Sequence, residues 1–105
     1  MFTFVLALAL AAPNPSSIDA PRRAFSTCLR TFESNQLKSK VDVAAYSAAV
    51  KSACSGEAQA LADALIRFDV AMGTKRASAQ ANAQRDVEDY RLTSEERYRD
   101  NLAPQ

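Results

Sequence analysis

Residues 57–100 read EAQALADALIRFDVAMGTKRASAQANAQRDVEDYRLTSEERYRD, 44 positions with no proline and one glycine, Gly73. A continuous helix of that length would run about 65 Å at 1.5 Å per residue. Leu61, Leu65, Phe68 and Met72 recur at helical spacing and form a strong apolar stripe. Beyond Gly73 the same face thins to Ala79, Ala83, Val87, Tyr90 and Tyr98. Leu61, Met72 and Ala83, like Phe68, Ala79 and Tyr90, stand eleven apart, a repeat that keeps a stripe nearly straight on one helix. The sequence therefore predicts one long C-terminal helix. Its competitor is a fresh start near Thr93, because Thr93-Ser94-Glu95-Glu96 has the spacing of a capping box. Asp63 with Arg67, and Glu95 with Arg99, are oriented to support an exposed helix.

Upstream, Ser55-Gly56 interrupts, with Ser55 available as a cap and Glu57 well placed in a positive first turn. Before it, Val43, Tyr46, Val50 and Cys54 form the apolar line of a short helix of about twelve residues, capped by Asp42. Ser34 to Lys40 is polar and unpatterned, a linker of ordinary length between antiparallel helices. The first helix is predicted from Asp19, a cap acceptor, with Pro21 in its first turn, to about Gln36. Phe25, Cys28, Leu29 and Phe32 share one stripe, while Arg22, Arg23, Arg30 and Glu33 face elsewhere.

Two glycines in 105 residues and abundant alanine suit helices and starve strands. The expected fold is all-α: a disulfide-pinned helical hairpin packed on the first half of a long C-terminal helix. Residues 1–12 read as a signal peptide, 13–18 as an extended linker, 19–100 as one helical domain and 101–105 as a tail. The apolar run Phe2 to Ala12 is about half what a membrane span needs, and Ala9-Leu10-Ala11 offers a small-x-small cleavage pattern. Pro13, Asn14, Pro15, Ser16 and Ser17 then supply a helix-averse stretch. The mature chain is thus expected to be exported, periplasmic or secreted, without a stable membrane anchor.

In that oxidising setting Cys28 and Cys54, the two cysteines of the chain, are expected to form a disulfide. Its rivals are two buried thiols and a redox pair, the latter without the activating CxxC arrangement. The chain contains no histidine, which removes the commonest general base and the commonest transition-metal ligand. No glycine-rich phosphate loop is possible with glycines only at 56 and 73. No enzymatic activity, cofactor or metal is therefore expected.

Asp86, Glu88 and Asp89 read as a solvated face. Thirteen basic against twelve acidic residues create no field that would attract nucleic acid. An unknown protein partner, or self-association through the long helix, is the remaining use. The expected binding stripe is Ala79, Ala83, Val87, Tyr90 and Tyr98. The segment carrying it should be poorly protected unless a partner covers it. The expected role is a periplasmic interaction or structural protein, with a chaperone-like stress protein as alternative.

Arg23-Ala24-Phe25-Ser26-Thr27-Cys28-Leu29-Arg30, Ala53-Cys54, Val87-Glu88-Asp89-Tyr90-Arg91 and Glu96-Arg97-Tyr98 resemble small exported helical proteins of alphaproteobacteria, particularly sphingomonads. The resemblance covers most of the mature chain. It implies a Gram-negative periplasmic or secreted setting and a shared two-cysteine layout. The group has no assigned activity, so no functional residues carry over.

Overall fold

A computed structural model describes residues 14–103. The predicted signal peptide, residues 1–12, lies outside the described residues, as do Pro13 and the last two residues of the tail. Among the described residues four helices, α1 (Ser16–Lys38), α2 (Val43–Val50), α3 (Ser55–Ala71) and α4 (Arg76–Leu102), make up the all-α fold. α1 packs on α3 and α4, α2 packs on α4, and α3 packs on α4. Phe25 meets Tyr90, Glu33 meets Ser94 and Arg97, and Gln36 meets Tyr98, so α1 and α4 run parallel. α2 and α3 return between them. The architecture is an up-down-up three-helix bundle whose middle member is broken between α2 and α3.

The long C-terminal helix of the sequence prediction is two helices. α3 ends in a Schellman motif, with the Gly73 amide bonding to Val70 and the Thr74 amide to Asp69. Gly73 sits at φ +96°, a conformation that glycine adopts without a Cβ penalty. Folding back at this point lets the Ala-rich stripe pack against α3 instead of projecting into solvent. Burial of that stripe outweighs continuation of one helix with an unpartnered face. At Thr93 the expected continuity holds, since α4 runs unbroken to Leu102.

The other ends differ by a few residues. α1 begins at Ser16, not Asp19, so the predicted extended linker is helical from residue 16. Asn14 initiates it, its side-chain oxygen accepting from the Ser16 amide and its carbonyl from the Ser17 amide. The earlier start buries Ile18 in the core, on the same stripe as Phe25 and Leu29. At its other end α1 closes with a second Schellman motif through Lys40, at φ 52°. Asp42 caps α2 as expected, its carboxylate accepting from the Ala45 amide at 2.8 Å. α2 stops at Val50, so Cys54 lies beyond it, in the left-handed region at φ 57°, as the residue preceding α3. Ser55 therefore does not cap α3.

Candidate functional site

Where α1, α2 and α4 meet, polar side chains pass through the core. Glu33 is only 5% exposed, contrary to the outward face its sequence position suggested. The Ser94 hydroxyl donates to its Oε1 at 2.6 Å. Arg97 donates through Nε to both carboxylate oxygens and through a terminal nitrogen to Oε1 at 2.5 Å. Because the Ser94 proton is committed to Glu33, the Tyr46 hydroxyl must be the donor in its 2.5 Å contact with Ser94. The direction runs Tyr46 to Ser94 to Glu33, with Arg97 closing it. This is the one ion pair among the described residues, so Asp63–Arg67 and Glu95–Arg99 are not formed. Asp63 instead accepts from Gln59.

Tyr46 and Tyr98 stack with ring centroids 3.8 Å apart and planes 3° from parallel. Tyr98, fully buried, donates to the carbonyls of Gln36 and Val41, tying α4 to the linker between α1 and α2. Burial pushes the Tyr98 phenol above its ordinary 10.0, with the Asp42 carboxylate adding to the effect. Burial also raises Tyr46, against the opposing effect of its bond to Ser94. The hydrogen bonds to Glu33 raise Arg97, which keeps the guanidinium charged.

This arrangement holds three helices in register, with the Glu33 carboxylate buried against Ser94 and Arg97. Arg97→Met should strand the carboxylate and lower the unfolding free energy by about 3 kcal/mol. Adding Glu33→Gln to that variant should recover part of the loss. Urea denaturation of the two singles and the double measures this, and strictly additive losses would contradict an interacting pair.

A second cluster forms the corner between α2 and α3. Cys28 on α1 and Cys54 lie at bonding distance, Sγ–Sγ 2.04 Å with Cα atoms 6.0 Å apart, as the sequence predicted. Arg91 of α4 donates to the Ala53 carbonyl at 3.1 Å and lies 5.6 Å above the Phe25 ring. Its buried Nε has no partner among the described residues.

The expected binding stripe is not a free surface. Ala79, Ala83, Val87 and Tyr98 are buried, and Tyr90 is half-buried against Phe25. Alanine, read as a sign of an unpartnered face, is instead what lets α3 and α4 approach closely. Sequence reasoning missed Glu33, Ser94 and Arg97 as a unit, because their partners lie more than sixty positions away. No local pattern could have revealed them. Exposed apolar surface lies elsewhere on α4, where Leu92 is 55% exposed. It lines a groove of about 370 Å³ with Val50, Lys51, Glu88, Arg91 and Glu95. No helix among the described residues is long and apolar enough to cross a membrane.

No family model matches this chain, and no curated protein or solved structure matches it.

Proposed function

We propose that the mature chain is an exported helical interaction or structural protein without catalytic activity, which associates through the α2–α4 groove around Leu92. The observation that carries this reading is Leu92 itself, a large apolar side chain left 55% exposed in a groove with a charged rim. Lys51 stands against Glu88 and Glu95 around it. The Lys51 ammonium of one copy can pair with a rim glutamate of the other across a two-fold axis, so a second copy of the chain is the fitting occupant. Export is supported by the cysteine pair at bonding distance, the state expected in an oxidising compartment. A chaperone-like role takes second place, since a holdase needs a broad apolar surface and the large exposed apolar side chains among the described residues are Met72 and Leu92.

Light scattering on the oxidised mature chain across a concentration series tests the proposal. A concentration-dependent dimer that Leu92→Glu returns to monomer, with melting temperature nearly unchanged, is the expected outcome. Monomer at every concentration would overturn self-association.

A further inference from the structure

We propose that the groove between α3 and α4 binds a straight-chain carboxylate of the medium-chain fatty-acid class, with the anion at Arg91 and the alkyl chain along an alanine floor. The groove has a volume of about 330 Å³, at the lower end of the range for small-molecule sites. Arg91 is the one residue it shares with the groove around Leu92, so this inference is independent of the association proposed above. The floor is apolar. Ala58, Ala62 and Ile66 recur every four residues along α3, and Ala83 and Val87 meet them from α4. Gln59, Gln80 and Gln84 make a neutral rim, and none of the described side chains that line the groove is acidic.

One end is cationic. The Arg91 guanidinium is fixed there by the bond from a terminal nitrogen to the Ala53 carbonyl, just before α3 begins. It makes no ion pair among the described residues, and its buried Nε has no hydrogen-bond partner there. Glu88 and Glu95, the acids nearest to it along α4, line the other groove instead. A partly buried cation without a counter-charge attracts an anion more strongly than an exposed one, because little water screens it. A carboxylate matches the flat fork of a guanidinium. α3 starts with Ser55 at this same end without a side-chain cap, so the positive end of the helix adds to the attraction. Glu57, the acid of that first turn, does not line the groove.

α3 and α4 run antiparallel across the corner at Gly73, so the groove extends from Ser55 and Arg91 at the charged end to Ile66 and Gln80 at the other. At 1.5 Å per residue, the stretch of α3 from Ser55 to Ile66 is about 16 Å long. An alkyl chain of about ten carbons suits that length and the volume of the groove. Such a ligand places its charge against the unpaired guanidinium and its chain against the alanines, covering apolar surface that is otherwise wet.

The full mature chain, oxidised and isotopically labelled, is titrated with decanoate below its micelle concentration, and amide shifts are followed by NMR. Expected is saturable one-to-one binding with shifts centred on Ala58, Ala62, Ala83 and Val87, and binding of decyltrimethylammonium weaker by roughly tenfold or more, since it meets Arg91 with like charge. Arg91→Gln should weaken decanoate, but Arg91 also holds the corner, so Ser55→Asp is the decisive variant. Ser55 is exposed, and a carboxylate in the first turn of α3 favours the helix, yet it sets a competing anion beside Arg91. Ser55→Asp should therefore weaken decanoate roughly tenfold or more without lowering the melting temperature. The proposal is overturned if decanoate shows no saturable binding, if the cationic chain binds as tightly, if Ser55→Asp binds decanoate like the parent, or if the shifts centre on Leu92.

Discussion

Cys28→Ser and Cys54→Ser should each lower the unfolding free energy by about 3.5 kcal/mol, the chain-entropy value for a bridge closing a loop of this length. The two cysteines are 26 positions apart, and the loop between them contains the end of α1, the linker and all of α2. That is the part of the bundle with the weakest claim to independent stability. α2 has only eight residues, too few to persist without tertiary contacts. The bridge fastens its far end to α1, beside the corner that Arg91 holds through Ala53. For a domain of this size, whose total stability is commonly about 5 to 15 kcal/mol, the loss is large. Both single variants and the double should melt at nearly the same reduced temperature, since one bond is lost in every case. Calorimetry under non-reducing conditions measures it. A single variant as stable as the parent would show that packing alone holds the corner.

Tyr98→Ala should destabilise the protein by about 4 kcal/mol, the middle of the range for removing a buried aromatic side chain. Tyr98 is fully buried, stacks on Tyr46 and is the contact through which α4 reaches the α1–α2 linker. Tyr98→Phe keeps the stack and removes the hydroxyl, so it should lose only about 1 to 2 kcal/mol, with the Gln36 and Val41 carbonyls left to other partners. Guanidinium denaturation of the two variants separates ring from hydroxyl, and equal losses would mean that the stack contributes little.

The same pair sets an alkaline limit. Tyr46 and Tyr98 hold their protons more tightly folded than unfolded, because burial raises both above 10.0. Above that value the unfolded chain binds fewer protons than the native one, so stability falls as pH rises. The contribution is complete below pH 10.0 and is lost as pH passes through the raised folded values. Tyr98→Phe should flatten the decline between pH 9 and 11, measured as melting temperature against pH.

The helical class and the Asp42 cap were legible because each rests on local chemistry, alanine-rich composition and a capping carboxylate before an apolar line, and the Cys28–Cys54 pair was legible because the chain has two cysteines. The stripe from Ala79 to Tyr98 was legible as a stripe too. What covers it was not, since a row of alanines looks the same whether it awaits a partner or already touches a neighbouring helix. Gly73 was the available signal. A glycine directly after Met72, with no proline to force the issue, can sit inside a helix at a cost of about 1 kcal/mol or end one at no conformational cost. Only the packing of α4 back onto α3 chooses between them.

Glu33 illustrates the limit most plainly. Its place among outward charges on α1 is correct for an isolated helix. Its burial follows from Ser94 and Arg97 arriving on a helix that begins more than forty residues later. The sequence by itself determined the helical class and one of the caps, which depend on composition and on neighbours in the chain, and the cysteine pairing, which two cysteines leave without an alternative. Tertiary structure alone decided where the long helix breaks, which face of α4 remains open and which charges lie inside, because those depend on burial between segments distant in sequence.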